Sequence, residues 1–410
     1  LAPVRQDNLR LSYALRVAAT CIAASFVLKL PSLGFIHREP DEAVYWSLAK
    51  SLLAGGDYSL RGSAVLQYLS PAMYDRPLFH HPPLFPVLLI PFAALDAMSA
   101  AVVLSWAGHA LCVLSVALIG FVLLNRAGGE LSRLRDLLWI LVAGVALDPL
   151  LTFVSRKLWI DDLLAGLVSL SIALVYLAVH RSGDRWLLFW GGVVLGLACL
   201  AKLPAILAAP LGLILIAGMR LPLRRKIESL LAFAVPAALL ILPWLLVFVG
   251  TYGTLLPTWL RHDAWTVEHF PLMAEAVARP WYYYPAKLCL ALPIVLFLLP
   301  LCVVAFRRDL LPERGVPALW FLTFLIVPTL QGMAGYGFQM RYLTPALPAL
   351  YAGLFAHPLL HGRARRWALP LLLAGILYAT LGGAVYLLEG SADEFLTLLE
   401  GFELIRFGAP

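Results

Sequence analysis

The chain has 410 residues, 61% of them hydrophobic and 13% charged, with a formal net charge of +7. A soluble domain carries about 25% charged residues, and apolar runs of roughly 15–25 residues recur here from end to end, which excludes a soluble protein and the alternating pattern of a barrel. Backbone groups in lipid must be satisfied within their own segment, so the class is all-α, a polytopic integral membrane protein.

The basic residues fall mostly in short loops between apolar runs, as the positive-inside rule expects, and no nucleic-acid partner is needed to explain them. The first span is expected over about residues 13–33, preceded by Arg5 and Arg10. The chain opens on Leu1 and is expected to be trimmed by a few residues; the first apolar run reads as a retained span, not a cleaved signal. Residues 34–99 form the first external loop, in which 41–54 is amphipathic: Val44, Leu48, Leu52 and Tyr45, Ala49, Leu53 recur at helical spacing. That helix is expected to lie along the membrane surface. Residues 84–95 are apolar but too short to cross, and read as a second juxtamembrane or re-entrant helix.

The second span is then 100–124, with Arg126, Arg133 and Arg135 inside, and the third lies near 137–151, followed by an external loop over 152–161. The fourth runs to about His180. Two short spans fit between Arg185 and Arg220, with Lys202-Leu203-Pro204 at their midpoint. A seventh covers about 229–250, and the later external loop 251–284 holds His262, Glu268, His269 and Trp281-Tyr282-Tyr283-Tyr284. Further spans follow near 286–305, 316–331, 342–357 and 368–388. The expected architecture is one domain, 1–410, of about 11 transmembrane helices with no appended soluble domain, N-terminus inside and C-terminus outside. The five cysteines, Cys21, Cys112, Cys199, Cys289 and Cys302, all fall in predicted helices with neither disulfide nor metal spacing.

Few residues in such a chain can carry chemistry. Asp41-Glu42 after Pro40 suits either a helix start that complements the dipole or a carboxylate base at the membrane surface. His80-His81-Pro82-Pro83 opens the second juxtamembrane helix, its histidines being interfacial polar groups, phosphate contacts or metal ligands. Asp161-Asp162 either caps the fourth span or adds a carboxylate to the cavity of Asp41. Arg156 and Lys157 could contact substrate or snorkel to the interface. Lys202, amid apolar residues, is costly unless paired, and a lipid-linked phosphate would suit it. Arg341-Tyr342 is either a second such contact or an interfacial anchor. His262 and His269 form at most a weak metal site.

These elements occur in a specific order: Pro-Asp-Glu-x-x-Tyr (40–45), His-Pro-Pro-Leu (81–84), Asp-x-x-Leu (161–164), Leu-Ala-Lys-x-Pro (200–204), Leu242-Pro243-Trp244, Trp-Tyr-Tyr-Tyr (281–284) and Arg-Tyr-Leu-x-Pro-x-x-Pro (341–348). From residue 12 to about 355 the chain resembles the C-type membrane glycosyltransferases, in the branch of the protein O-mannosyltransferases and the aminoarabinose transferase of lipid A. The resemblance implies transfer of a sugar from a polyprenyl monophosphate to a hydroxyl acceptor (lipid, glycan or protein) on the extracytoplasmic face of a bacterial-type inner membrane, with inversion. It puts the catalytic aspartate at Asp41, beside Glu42, and the second loop aspartate at Asp161. His81 stands where the family has a phosphate-binding lysine, and His80, with His262, at its metal-associated positions. No match to the aminoarabinose transferase's large C-terminal domain is found, so the acceptor does not carry over.

The chemistry fits the residues independently. A phosphate monoester leaves without a general acid but needs cations, which Lys202 and Arg341 with Tyr342 could supply, while Asp41 takes the acceptor proton. No cofactor is required, although a divalent cation is compatible. The rivals are a lipid or solute transporter, which should show inverted repeats and broken midplane helices, a lipid scaffold, and a polymerase or ligase acting on diphosphate-linked glycans.

Overall fold

In the computed structural model the apolar run after Arg10 folds as α1 (Leu11–Lys29). The structure describes residues 9–30, 40–56, 58–60, 79, 81–128, 130–253, 280–297, 312–333, 340–361 and 364–389. The first external loop contributes α2 (Pro40–Leu53) and α3 (Leu84–Ala94), which pack together through Tyr45, whose ring meets Phe85 edge-on at 5.2 Å. Both expected apolar stripes of α2 are buried against protein as far as Ala49: Val44 and Leu48 on a small cluster with Tyr58 and Leu60, Tyr45 and Ala49 on the main core. With 11 residues, α3 is about 16 Å long, short of a bilayer.

A 3-10 turn, Ala100–Val102, leads into α4 (Val103–Ala127), and α5 (Leu131–Ala146) returns. The helix stops just before Asp148-Pro149, but the external loop expected over 152–161 is helical as far as Ser155. Asp148 accepts from the N–H groups of Leu150 and Leu151, both at 3.0 Å, and Pro149 fits the first helical position. A new helix, α6 (Pro149–Ser155), therefore starts at 43° to α5, and only residues 156–160 remain as loop. Then come α7 (Asp161–His180) and α8 (Arg185–Ala201), the latter capped by Asp184. Lys202 is extended, φ −153° and ψ 128°, between α8 and a 3-10 segment, Leu203–Ala208, that continues into α9 (Ala209–Ala217). The long α10 (Leu223–Tyr252) follows, then α11 (Tyr283–Ala291) with the turn Pro293–Phe297, and α12 (Pro312–Met333). A 3-10 segment, Met340–Ala346, enters α13 (Leu347–Phe355); α14 (Pro358–His361) and α15 (Arg365–Glu389) close the described chain.

The protein is thus an all-helical polytopic membrane protein. Among the described residues five helices are long and apolar enough to cross a membrane, six if the bent α5–α6 pair is one span. Arg185–Ala201 and Leu203–Ala217, the two short spans expected between Arg185 and Arg220, are apolar helices below that length, and part of the span expected near 286–305 lies outside the described residues. The more exposed α1 and α10 bury 28% of their apolar windows, against 78% for α4 and 83% for α7, so α4 and α7 form the centre. Their backbones touch: a Cβ on Gly108 would stand 2.4 Å from the Asp162 carbonyl, and one on Gly166 2.3 Å from the Gly108 carbonyl. Without a hydrophobic drive between helices in lipid, such close approach of small residues supplies the packing energy, and it fixes the rotation of α7, on which the site depends. Cys21, Cys112, Cys199 and Cys289 are free thiols; Cys302 lies outside the described residues.

Candidate functional site

Four distant segments meet at the start of α7. Asp41 lies in the first turn of α2, Asp161 opens α7, Lys202 sits in the break after α8, and Arg341 in the 3-10 entry to α13. Their charges alternate in a chain. Lys202 Nζ donates to Asp161 Oδ1 at 2.7 Å; Asp161 Oδ2 lies 3.8 Å from Arg341 Nε; Arg341 Nη2 donates to Asp41 Oδ2. The Thr344 hydroxyl, 2.8 Å from the Arg341 carbonyl and 3.3 Å from the Asp161 carbonyl, ties the two segments. Tyr342 lies under both cations, its ring centre 4.9 Å from Lys202 Nζ and 5.5 Å from the Arg341 guanidinium.

Exposure divides the chain in two. The side chains of Asp161 and Arg341 are 3% and 6% exposed, those of Asp41 and Lys202 41% and 26%. The middle is a buried ion pair; the ends, one carboxylate and one ammonium, are partly open. Surrounding protein pushes the Asp41 carboxyl up, but Arg341, then His81 and Lys202, outweigh this and hold it below the usual carboxylate range.

Neither aspartate of the 161–162 pair is the N-cap of its helix: that position is Ile160, which makes no side-chain cap. Asp161 turns to the site. Asp162 is fully buried on another side, where neither oxygen has a hydrogen-bond partner among the described residues and the charged groups it faces there are Lys29, Asp161 and Asp148. Below it Lys29 Nζ meets His109 Nδ1, whose other nitrogen lies 3.0 Å from the Val145 carbonyl. Glu42, grouped with Asp41 in sequence, is 3% exposed and accepts the Leu158 N–H at 2.8 Å, tying α2 to the 156–160 loop. Arg156 and Lys157 are not snorkelling anchors: they are 5% and 1% exposed, inside protein.

His81 is edge-on to Tyr45 at 5.2 Å, and its carbonyl accepts from the Tyr58 hydroxyl at 2.8 Å. Burial pushes the imidazole down to about 4, with Lys202 and Arg341 adding to the effect against Asp41. His81 is therefore neutral at pH 7. Glu42 moves the opposite way: burial pushes it up to about 7, the Leu158 N–H opposing and Asp41 reinforcing. Between 4.5 and 7 the folded protein holds a Glu42 proton that the unfolded chain releases, so this group makes stability fall as pH rises. Between 4 and 6.5 the unfolded chain binds a His81 proton that the fold excludes, so stability rises with pH. The two slopes offset over the shared window. Melting temperatures of Glu42→Gln are expected to drop as pH is lowered from 6.5 to 4.5, where the parent changes less; parallel curves would refute the assignment.

Sequence reasoning missed Trp159, whose ring lies 4.3 Å from the Arg341 guanidinium, and the carbonyl-bridging Thr344. Trp159 stands two residues before Asp161, and that proximity was its one signal. Among the described residues no group of three or more His, Cys, Asp and Glu side chains could hold a metal; His80 and the later loop with His262 and His269 lie outside them.

No family model and no curated protein matches the sequence. Solved structures do. ArnT from Cupriavidus metallidurans bound to undecaprenyl phosphate superposes with a TM-score of 0.59 at 17% identity, over 95% of this chain and 71% of that one. The chain has the ArnT fold. ArnT in the apo state matches equally, TM-score 0.59 at 18% identity over the same shares. Oligosaccharyltransferase from Archaeoglobus fulgidus is less similar, TM-score 0.48 at 13% identity over 94% of this chain and 55% of that one. At this identity the likeness shows a shared fold.

Proposed function

We propose that the protein transfers a sugar from a polyprenyl monophosphate to a hydroxyl acceptor on the extracytoplasmic face of a bacterial-type inner membrane, with about 11 spans, the N-terminus inside and the C-terminus outside. One observation carries the reading: a four-charge chain on the ArnT fold exposes a carboxylate at one end and an ammonium at the other. A related fold holds undecaprenyl phosphate in the ArnT structure.

The donor phosphate sits at Lys202, with Tyr342 beneath, Arg341 behind, and the neutral His81 available to donate. The acceptor hydroxyl lies at Asp41. Its oxygen attacks the anomeric carbon as Asp41 takes its proton; the carbon–oxygen bond to phosphate breaks and the electron pair leaves with the phosphate, whose growing charge Lys202 and Arg341 stabilise. Attack opposite the leaving group inverts the centre. Arg341 keeps Asp41 ionised beforehand. An arriving phosphate competes for the same cations, which raises the basicity of Asp41 when the donor is in place. Asp161 holds the two cations and does not itself react. A monophosphate needs no metal clamp, so a divalent cation at His80 and His262 is not obligatory.

Purified protein incubated with a labelled polyprenyl-phosphate sugar and envelope extracts is expected to yield a glycosylated product, with or without chelator. Consumption of diphosphate-linked glycan alone would make it a polymerase or ligase. Passage of intact donor across vesicles, with no cleavage, would make it a transporter.

A further inference from the structure

We propose that Trp159 is a positioning residue for Arg341, its indole face setting the plane in which the guanidinium meets Asp41. The inference rests on the reading above and deepens it, because nothing in the ordered motifs involves Trp159. The Arg341 guanidinium carbon lies 4.3 Å from the Trp159 ring centre, and Lys157 Nζ 4.6 Å from the same ring. Arg341 is 6% exposed and its Nε has no hydrogen-bond partner among the described residues, Asp161 Oδ2 standing 3.8 Å from it. Hydrogen bonds alone leave the fork free to tilt; the ring face does not. The Trp159 indole N–H also finds no acceptor among the described residues, so the residue is retained for its face rather than its donor.

The shelf under the ring is rigid. Three consecutive residues of the 156–160 loop are pinned by side chains from other elements: the Leu158 N–H by Glu42 at 2.8 Å, and the Lys157 and Trp159 carbonyls by the Ser105 hydroxyl at 2.7 and 3.1 Å. Phe153 meets the indole edge-on at 5.7 Å. Glu42 is two-sided in effect, since α2 carries both it and Asp41. One helix thus sets the carboxylate and, through the loop and the indole, the cation that faces it.

The test is a double-mutant cycle on transfer, with Trp159→Leu, Trp159→Phe and Arg341→Lys. A desolvated cation–π contact is worth about a tenfold factor. Trp159→Leu is expected to lower kcat about tenfold with little change in KM, and Trp159→Phe to recover most of it. In the Arg341→Lys background, where no planar fork remains to be oriented, Trp159→Leu should cost far less. Equal losses in both backgrounds would mean that Trp159 acts through general packing, and would overturn the inference. Should Trp159→Leu fail to fold, Ser105→Ala and Glu42→Ala release the shelf instead, with the same non-additivity toward Arg341→Lys expected and additivity overturning it. The cycle is also run on melting temperature, which needs no turnover. Absence of transfer by the parent would sink the proposed function, and the melting cycle would still decide between coupled and additive behaviour.

Discussion

Asp41→Asn is expected to lower kcat by about 10²–10⁴-fold while leaving the fold and donor binding in place. The amide is isosteric and can still accept from Arg341 through its oxygen, but it cannot take the acceptor proton. A helix start in which Asp41 only complements the dipole would tolerate the change, because Asn serves helix N-termini nearly as well. The partial exposure of Asp41 means that the variant buries no new unpaired group. Glu42→Gln is the neighbouring control: its amide oxygen can still accept the Leu158 N–H, so near-normal transfer is expected. The reverse pattern, with transfer kept by Asp41→Asn and lost in Glu42→Gln, would move the base one residue along. Transfer from a polyprenyl-phosphate sugar and thermal stabilisation by polyprenyl phosphate separate the chemical step from binding.

Arg341→Met is expected to be the most destabilising single change at the site. It removes the cation between two carboxylates, one of which, Asp161, is 3% exposed. Breaking a buried pair by deleting one partner costs about 3–5 kcal/mol, since the remaining charge stays buried. The retained Lys202 bond to Asp161 places the expected loss at the lower end, about 3 kcal/mol. Arg341→Lys should recover part of it, because the charge returns without the planar fork that spans Asp41 and Asp161. Adding Asp161→Asn to Arg341→Met should cost less than the sum of the single changes, the carboxylate that made the loss expensive being gone. Unfolding in mixed detergent measures the parent and the variants, Asp161→Asn alone included; strict additivity would show that the two side chains do not share one interaction.

Much of this site was legible in the chain. A lysine at 202 amid apolar residues, an arginine opening a late span and acids after a proline each violate the local rule for membrane segments, and such violations mark function. What local pattern could not supply was the pairing. Arg341 and Asp41 are 300 residues apart, Lys202 and Asp161 are 41 apart, and no helical period links them. Pattern could not give the tie of Glu42 to the 156–160 loop either, because it runs to a backbone N–H, which no motif records. Trp159 was invisible for a related reason: a buried tryptophan is ordinary in an apolar loop until a guanidinium is found over its face.

The sequence by itself determined the class and the candidates. Hydropathy is a property of composition and run length, so it decides that helices fill the membrane, and a charge within such a run is costly wherever the chain goes. The tertiary structure alone decided which candidates act together. Asp161 and Asp162 are equivalent in composition, but successive side chains on a helix diverge by about 100°, and the contact of Gly108 with the Asp162 backbone sets the rotation of α7. That rotation sends Asp161 to Lys202 and Arg341 and leaves Asp162 buried toward Lys29. The same packing buries the middle of the charge chain and leaves its ends open, so the division between positioning and reacting groups is a consequence of helix-to-helix distance, which residue order does not encode locally.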